Sequence, residues 1–333
     1  MQTFAVIATA SAAAAASEFT DIVATVNSAN AGWVAAEPTH RFGSLSDVKQ
    51  LCGTWTKGHP MYTPSNFTVL DADPSFIAAP EDIPAAFDVR TNWANCTVSS
   101  KIRDQSACGS CWAFGSTESF EDRRCIATGE DKQFSPLDTG ACSGAGNGCS
   151  GGDPNGALDW MVKHGVVSGG DFSKAPDGKS CQPYGFAPCA HHVPATAQYP
   201  VCPTAEYRMT CHKVCTDTTF TGGMDAAKGT KAFSLEKVAG MQTALMQKGT
   251  LSVAFTVYAD FPTYKSGVYK HTTGAALGGH AVAFIGWGTD PTGGDYWIVK
   301  NSWNEQWGDG GTFKIARGTD ECGIEDEVAG INF

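Results

Sequence analysis

The sequence predicts an α+β protein in which a cysteine-rich, partly helical half precedes a β-rich half. Residues 250–318 contain the segments LSVAFTVYADF, GHAVAFIGWG, DYWIVKNSW and GTFKIARG, whose apolar residues alternate as they do in strands. Most of the thirteen cysteines lie between residues 86 and 215, where the segment CWAFGSTESFEDRRC is predicted to be a helix. The 333 residues are enough for a large buried core.

The composition is that of a globular protein and argues against a nucleic-acid partner. Hydrophobic residues make up 42% of the chain and charged residues 17%. Basic minus acidic residues gives 23 − 34 = −11. An acidic chain with no basic run lacks the positive surface that nucleic acid requires, so we expect no nucleic-acid binding.

The first seventeen residues, 1–17, are predicted to be a signal peptide. The stretch FAVIATASAAAAAS forms a short apolar run that ends in small residues. No lysine or arginine precedes it, so an alanine-rich N-terminal helix is the alternative. The run is too short to span a bilayer, and no other run is long enough. We therefore expect entry into the secretory pathway and no membrane span.

Two segments lie between this leader and the cysteine-rich half. Residues 18–60 have helical periodicity, and four apolar side chains share one helical face: Phe19, Ile22, Val23 and Val26. Residues 63–85 contain four prolines and few helix formers, which predicts an extended linker. A processed secretory protein is expected to be cut near the end of this linker.

The cysteine count indicates a disulfide framework. Metal ligation would account for four or eight cysteines. A disulfide framework formed in an oxidising compartment is a simpler explanation for a total of thirteen. Because the count is odd, at least one thiol is expected to be free.

The stretch QSACGSCWAF contains a C-x-x-C pair that fits neither a redox motif nor a zinc site. The preceding KIRDQSA is polar and no βαβ pattern surrounds it, and no second C-x-x-C supplies further zinc ligands. We therefore assign the two cysteines different roles, with Cys108 bridged and Cys111 at the start of a helix. A thiol in the first helical turn is favoured as thiolate by the helix dipole.

Three polar residues elsewhere in the chain complete a possible nucleophilic site. His280 lies in Gly278-Gly279-His280-Ala281-Val282, and the next predicted strand ends in Asn301. Adjacent antiparallel strands would bring Asn301 beside His280, where its amide oxygen would fix the imidazole tautomer. The side chain of Gln105 and the backbone N–H of Cys111 would together form an oxyanion hole.

Four stretches together resemble the papain-type cysteine peptidases, and among them the cathepsin B-like group. They are QSACGSCWAF, GCSGG at 148–152, GGHAV at 278–282 and NSWNEQWGDGG at 301–311. The resemblance covers nearly the whole chain, including a short prosegment with LCGT at 51–54. It implies a two-lobed papain-like fold, with a helical lobe, a β-barrel-like lobe and a cleft between them. The implied boundaries are an inhibitory prosegment at 18–80 and a peptidase domain at 81–333.

The resemblance assigns roles to the catalytic candidates. Cys111 would be the nucleophile, His280 its acid/base partner, Asn301 the orienting group and Gln105 the oxyanion donor. Trp303 would shield the His280–Asn301 hydrogen bond from water, and packing alone is its alternative role. No metal or cofactor is implied.

The resemblance also implies how substrates bind. Gly151 and Gly152 would line the cleft, where the lack of a side chain lets a substrate backbone approach closely. The pocket for the side chain two residues before the cleaved bond would be lined by Asp153, Pro154, Ala254, Ala281 and Glu327. Two acids in one pocket would favour basic side chains. The alternative is that Asp153 points into solvent.

Five disulfides follow from the same resemblance: Cys96–Cys125, Cys108–Cys149, Cys142–Cys211, Cys181–Cys215 and Cys189–Cys202. They leave Cys52, Cys111 and Cys322 free. Family members usually carry a further short bridge near Cys142 that this sequence lacks, so the alignment of Cys142 is ambiguous between two neighbouring family cysteines.

Residues 181–215 resemble the occluding loop of the cathepsin B-like group. In that group two histidines of the loop, here His191 and His192, receive the C-terminal carboxylate of the substrate and make the enzyme a peptidyl-dipeptidase. A metal site or an exposed loop is the alternative. Asp104 is present to pair with His191, but Gln306 replaces the aspartate of the second latch, so we expect a more loosely held loop.

These expectations combine into a cysteine peptidase made as a zymogen. Its partners would be peptide and protein substrates and its own prosegment as inhibitor, and the enzyme would be a monomer. It would reach a lysosome-like acidic compartment or the extracellular space. A catalytically silent secreted papain-like binding protein is the alternative from another class, and the intact Cys111 argues against it. A cysteine acyltransferase is disfavoured by the residue order and the prosegment.

Overall fold

The computed structural model describes residues 18–38, 42–190, 195–203 and 207–333. The expected signal peptide, residues 1–17, lies outside them. Seven α-helices are described, namely α1 (18–29), α2 (Leu45–Leu51), α3 (Val89–Asn92), α4 (Cys111–Thr128), α5 (Pro136–Cys142), α6 (Pro154–Lys163) and α7 (Val238–Lys248). None of the described helices is long and apolar enough to cross a membrane.

Ten strands of the described chain join in one sheet. They are β1 (Trp33–Ala35), β2 (Thr68–Val69), β3 (Phe87–Asp88), β4 (Lys231–Leu235), β5 (Leu251–Tyr258), β6 (Tyr264–Tyr269), β7 (Ala276–Asp290), β8 (Gly294–Lys300), β9 (Thr312–Ala316) and β10 (Val328–Asn332). Their order is β1-β6-β9-β8-β7-β5-β10-β4-β2, and β3 pairs with β7. The four strands expected from alternation are confirmed as β5, β7, β8 and β9.

Helix α4 forms the centre of the helical lobe and packs against the β lobe. Along its 18 residues nearly every side chain up to Arg123 is buried. Gly115 lies against the backbone of β7, where a Cβ would approach the Val282 carbonyl oxygen to 3.1 Å. This close packing sets the start of α4, with Cys111, next to the strand that carries His280. The two-lobed α+β fold is therefore the one that the sequence predicts.

The N-terminal segment is docked on the β lobe. Phe19 and Val26 of α1 are buried in the same hydrophobic core as the strands of that lobe. The helical periodicity of residues 18–60 is interrupted by β1, which pairs antiparallel with β6. Trp33 of β1 stacks on Tyr264 and donates its indole N–H to the Lys270 carbonyl at 3.0 Å. Strand β1 was not predicted because three residues are too few to show alternation.

The proline-rich stretch is not a free linker. It contains β2 and three short 3-10 helices, Leu70–Ala72, Pro74–Phe76 and Pro80–Asp82. Strand β2 pairs in parallel with β4, with Thr68 opposite Phe233 and Val69 opposite Ser234. The stretch is thus irregular in conformation, as expected, but it is fixed to the domain by strand pairing.

The five disulfides in the structure are the pairs that the resemblance implies. They are Cys96–Cys125, Cys108–Cys149, Cys142–Cys211, Cys181–Cys215 and Cys189–Cys202. Cys142 therefore pairs with Cys211, and Cys52, Cys111 and Cys322 lie outside any bridge.

Candidate active site

Cys111 is the first residue of α4, as the sequence predicts, and it is fully buried. The neighbouring disulfide Cys108–Cys149 ties the turn before the helix to the glycine-rich loop at 148–152. The Ser110 side chain makes no capping hydrogen bond to α4. The thiol therefore lies at the positive end of an 18-residue helix, which favours its ionised form.

His280 and Asn301 meet across strands β7 and β8. The two strands run antiparallel, and Asn301 directly follows β8. His280 Nε2 lies 2.8 Å from Asn301 Oδ1, and both side chains are buried. The same oxygen accepts from the Ser302 backbone N–H at 2.8 Å, which fixes the orientation of the amide. Because an amide oxygen only accepts, His280 Nε2 carries a proton in this hydrogen bond, and Nδ1 is the ring atom that gains or loses the second proton.

Trp303 covers this pair. Its ring centroid lies 4.8 Å from that of His280, and the indole is fully buried. Among the described residues its Nε1 has no hydrogen-bond partner. The side chain therefore acts here as an apolar cover over the imidazole rather than as a hydrogen-bonding group.

The thiol and the imidazole are electrostatically coupled. Burial alone would raise the pKa of Cys111, but the positive charge of His280 and a hydrogen bond with Thr54 outweigh burial, so the pKa is lowered. The other two free thiols show the opposite effect. Burial raises the pKa of Cys52 and of Cys322 well above the usual value. Cys111 is therefore the free thiol with the greatest thiolate character.

Gln105 faces the space beside Cys111, and a carbonyl oxygen of the N-terminal segment occupies that space. Its Nε2 donates to the Leu51 carbonyl at 3.0 Å and to the Cys108 carbonyl at 2.8 Å. Its Oε1 accepts from the Ser302 hydroxyl at 2.8 Å, which orients the amide. Leu51 thus places a neutral carbonyl where an oxyanion donor would hold a substrate oxygen.

Residues 51–55 run through the cleft over Cys111. The Gly53 N–H donates to the Cys111 sulfur at 3.3 Å, and the Thr54 hydroxyl lies 3.2 Å from the same atom. Thr54 N–H donates to the Gly279 carbonyl at 3.0 Å on one side of the cleft. On the other side Gly152 N–H donates to the Gly53 carbonyl at 2.9 Å. The segment is hydrogen-bonded to both walls, so no peptide can reach the thiol while it is present.

The approach of this segment depends on residues without side chains. A Cβ at Gly53 would lie 1.8 Å from the carbonyl oxygen of Gly109, which belongs to the backbone and cannot rotate away. Gly151 has φ +103°, and a Cβ there would meet the Trp55 indole nitrogen at 2.8 Å. Gly151 and Gly152 therefore line the cleft, as expected, and in this state they contact the chain's own segment.

Asp153 and Glu327, the two acids of the expected specificity pocket, are near enough for the charge of Asp153 to act on Glu327. Asp153 caps helix α6 by accepting from the Asn155 N–H at 2.8 Å, so its carboxylate is half-buried rather than free in solvent. Burial, with a smaller contribution from the charge of Asp153, raises the pKa of Glu327 to about 7. Glu327 Oε1 accepts from the Lys57 N–H at 2.8 Å. Its Oε2 is buried without a hydrogen-bond partner in the described chain.

The remaining pocket residues lie nearby on the two lobes. Pro154 is the first residue of α6 and is buried. Ala254 and Ala281 face each other across β5 and β7, and both are buried. Ala254 and Glu327 line the same surface cavity.

The tip of the expected occluding loop, including His191 and His192, lies outside the described residues. The flanks are described, and they carry the bridges Cys181–Cys215 and Cys189–Cys202. Asp104 accepts from the Asn304 side chain at 3.2 Å. Gln306, at the position of the expected second latch, donates to the Gln198 side chain at 3.2 Å. The sequence predicts that the second latch of the family, an ion pair, is missing here because Gln306 replaces its aspartate. In the structure a hydrogen bond between two neutral side chains lies at that position.

Sequence reasoning missed the residues of the N-terminal segment that close the site. Leu51, Thr54 and Lys57 contact the catalytic and pocket residues, and their contacts bridge more than 50 positions of the chain. The LCGT stretch was the only available signal. No group of three or more His, Cys, Asp and Glu residues in the described parts of the chain is arranged to hold a metal ion.

Comparison with known proteins identifies one family. The family model described as "Papain family cysteine protease" matches residues 83–331. A "Cathepsin B-like cysteine proteinase" of Schistosoma japonicum is 41% identical over 311 residues, which cover 91% of this chain and 87% of the relative. "Cathepsin B-like cysteine proteinase 4" of Caenorhabditis elegans is 46% identical over 257 residues, 75% of each chain.

Solved structures give the same result. "proCathepsin B S9" from Trypanosoma congolense matches with a TM-score of 0.76 and 28% identity, covering 93% of this chain and 96% of that one. The digestive procathepsin L 3 of Tenebrio molitor matches with a TM-score of 0.66 at 20% identity, covering 97% and 90%, and supports the fold alone. Both neighbours are proenzymes, so the match extends over the N-terminal segment that fills the cleft here.

Proposed function

The chain belongs to the papain family of cysteine proteases, with cathepsin B-like relatives, and on that premise we propose that it hydrolyses peptide bonds by a Cys111–His280–Asn301 mechanism. The observation that carries the proposal is the buried 2.8 Å contact between His280 and Asn301 next to a thiol of lowered pKa. An activated thiolate, an oriented imidazole and an amide donor are the groups that acyl transfer requires.

The geometry supports a two-step reaction. The Cys111 thiolate attacks the carbonyl carbon of the substrate, and the oxyanion forms beside Gln105 Nε2 and the Cys111 N–H. His280 donates its proton from Nδ1 to the leaving amine, which departs and leaves a thioester on Cys111. Water then gives a proton to His280 and adds as hydroxide to the thioester carbonyl carbon, which breaks the C–S bond, releases the carboxylic acid and regenerates the Cys111 thiolate beside a protonated His280. Asn301 holds the ring in position throughout.

We propose residues 18–80 as the inhibitory prosegment and residues 81–333 as the peptidase domain. Residues 51–55 block the thiol and Lys57 contacts the specificity pocket, so cleavage requires removal of the segment. The sequon Asn66-Phe67-Thr68 lies in this segment with an exposed asparagine, which suits glycosylation in the secretory pathway. The fully active enzyme would then be a monomer in an acidic compartment or outside the cell.

Two finer activities are proposed for the activated enzyme. Endopeptidase cleavage needs only the cleft. Release of dipeptides from C-termini would use His191 and His192 as imidazolium groups that bind the terminal carboxylate. The pocket formed around Asp153 and Glu327 would accept arginine, whose planar guanidinium suits a carboxylate with an unpartnered oxygen.

One experiment tests the proposal and separates it from a silent binding protein. The full chain is activated at acid pH, given a peptide library, and the products are sequenced. We expect cleavage inside the peptides, with a basic residue two positions before the cleaved bond. We also expect release of dipeptides, which should slow when the C-terminus is amidated or when His192 is replaced by alanine. The absence of any cleavage after confirmed removal of the prosegment would contradict the proposed enzyme, whereas cleavage without dipeptide release would remove only the loop function.

A further inference from the structure

A buried carboxylate fixes the prosegment to the peptidase domain at a point outside the cleft. Asp71 is fully buried, although it lies in the proline-rich part of the prosegment. Its Oδ2 accepts from the Lys237 N–H at 2.7 Å and from the Glu236 N–H at 3.1 Å, and its Oδ1 is also 3.1 Å from the Glu236 nitrogen. Both donors belong to the peptidase domain, so these bonds connect the two parts that maturation separates.

The donors lie at the N-terminal end of helix α7, and this end lacks a cap of its own. Lys237 is the N-cap residue of the 11-residue helix and makes no side-chain capping bond. Lysine is not among the residues that cap well, and the helix dipole favours a negative group at this end. Asp71 supplies that group from another part of the chain. The Lys237 ammonium adds a hydrogen bond to the Asp71 backbone oxygen at 2.7 Å.

The shape of the domain at this point fits an aspartate. A Cβ on Gly240 would lie 2.2 Å from Asp71 Oδ2 and 2.5 Å from its Cβ. Gly240 is in the first turn of α7 and its backbone φ is not in the left-handed region, so helix geometry does not require glycine there. The absence of a side chain at Gly240 therefore makes room for the Asp71 carboxylate, and a methyl group at this position would occupy the same space.

Contacts on both sides of Asp71 extend the docked stretch. Strand β2 adds to the sheet next to β4 before it, and the Ala78 N–H donates to the Thr243 hydroxyl on α7 at 3.0 Å after it. Phe67, Leu70 and Phe76 pack against the hydrophobic cores of the domain. Asp73, only two residues from Asp71, provides a contrast because its carboxylate is bonded to Ser75 within the same stretch.

We propose that residues 67–78 are a further docking element of the prosegment, which binds β4 and the N-terminal end of α7 independently of the cleft, with Asp71 as its anchor. In the matured enzyme the vacated site is a binding site for an extended peptide that carries an aspartate. The inference rests on the proposed division into prosegment and peptidase domain.

A synthetic peptide of residues 64–80 tests binding at this site. The enzyme is matured from the full chain and its Cys111 is capped with a thiol-reactive epoxide, which blocks the cleft. We expect saturable binding with the same affinity before and after capping. Asp71→Asn in the peptide should weaken binding about 10- to 100-fold, because buried backbone donors lose a charged acceptor. Asp73→Asn is the matched control and should bind like the unaltered peptide.

Gly240→Ala tests the site from the side of the enzyme. Alanine is favoured over glycine within a helix, so the variant should fold and cleave small substrates as the wild type does. Peptide binding should fall at least as far as with Asp71→Asn. Equal peptide affinity in Gly240→Ala and wild type would overturn the proposal, as would competition between the epoxide and the peptide.

Hydrogen exchange on the full-length chain gives a readout that does not need catalysis. In a Cys111→Ala background, which cannot process itself, Asp71→Asn should speed exchange at the Glu236 and Lys237 amides while Asp73→Asn leaves it unchanged. Equal exchange in the two variants would contradict the anchor and leave the proposed peptidase activity unaffected. Conversely, a chain without peptidase activity would still show the exchange difference if the docking element is real.

Discussion

In the proposed mechanism two side chains from different lobes, Cys111 and His280, carry the chemistry, and both are buried in the structure. Burial is the largest single influence on the pKa of Cys111 and raises it, but the charge of His280 together with the hydrogen bonds to the thiol lowers the pKa overall. His280 in turn is oriented by Asn301 and covered by Trp303. The arrangement of thiol, imidazole and amide is thus already formed in the folded zymogen. The prosegment controls only the access of a substrate to the thiol.

Removing either member of the pair should abolish catalysis without unfolding the chain. Cys111→Ala and His280→Ala should each lower kcat/KM by at least about 10³-fold, and the double variant should be little worse because the two residues act as a unit. The measurement is hydrolysis of a small peptide substrate, with the five disulfides checked by mass spectrometry. Substantial activity in Cys111→Ala would refute the mechanism.

Glu327 should make the preference for arginine depend on pH. Burial raises its pKa to about 7. The carboxylate therefore ionises as pH rises towards about 7, so selectivity for arginine over phenylalanine should grow from acid to neutral pH.

Matched variants isolate the two acids. Glu327→Gln should remove the pH dependence of the Arg/Phe ratio of kcat/KM. Asp153→Asn keeps an N-cap residue on α6 but removes a charge that repels Glu327, so the transition should move to lower pH. If all three enzymes give the same ratio at every pH, neither acid determines specificity.

The residues that meet at the candidate site could be predicted from sequence because each lies in a distinctive local context. The contacts by which the N-terminal segment covers them could not be predicted. Leu51 and Thr54 meet Gln105 and Cys111 only after α2 has docked on the β lobe, and nothing local to LCGT encodes that long-range packing. The N-cap role of Asp153 was likewise missed, although Asp-Pro before a helical segment is a capping signal.

At the scale of elements, residues 51–55 fill the cleft over Cys111, and Gly53 allows their backbone to approach Gly109 closely. Gly53→Ala should weaken zymogen inhibition, because the new methyl group would overlap a backbone oxygen of Gly109. We expect the full-length variant to label with a thiol-reactive epoxide at neutral pH, where the wild-type zymogen does not. Lys49→Ala, an exposed change on α2, is the control. Equal labelling of the wild type, Gly53→Ala and Lys49→Ala would show that residues 51–55 do not protect the thiol.

The contact between Lys57 and Glu327 favours the ionised carboxylate. Burial raises the pKa of Glu327 to about 7, but the Lys57 N–H and the Lys57 charge both lower it. The hydrogen bond from Lys57 should therefore weaken as pH falls through about 7 and Glu327 takes up a proton. This sign agrees with the expectation from the sequence that protonated carboxylates help to release the prosegment.

Strand pairing explains which elements were predictable. Strands β5, β7, β8 and β9 have five to fifteen residues and alternate visibly, so a local pattern suffices. Strands β1 and β2 have three and two residues and pair with strands more than 150 positions away. Their existence depends on the docking of the prosegment and leaves no local signal.

On the scale of the whole molecule, a buried cluster of charges joins α4 to β8 behind the active site. Lys300 Nζ lies 3.2 Å from Asp122 and 3.8 Å from Glu118, and Arg103 lies 3.5 Å from Glu121. Burial raises the pKa of Glu118 to about 8 and that of Glu121 to about 7. Since Asn301 follows Lys300 directly, this cluster ties the catalytic helix to the strand that orients His280.

Stability should therefore decline towards alkaline pH. Carboxyls whose pKa is raised by folding contribute stability that is full below about 4.5 and is lost as pH rises through 7 and 8. In the Cys111→Ala chain, thermal unfolding should occur about 5–10 °C lower at pH 8 than at pH 5. Joint replacement of Glu118 and Glu121 by glutamine should flatten this dependence, while Glu81→Gln at the surface should not. An unchanged slope in the double variant would exclude the cluster as its cause.

The most direct test of the account is to titrate the activated enzyme with an epoxide that traps thiolates and to locate the adduct by mass spectrometry. We predict that peptidase activity falls in strict proportion to the labelling of Cys111, that Cys322 stays unlabelled because burial raises its pKa, and that the zymogen resists labelling until the prosegment is removed. Full peptidase activity with Cys111 completely labelled would contradict the account.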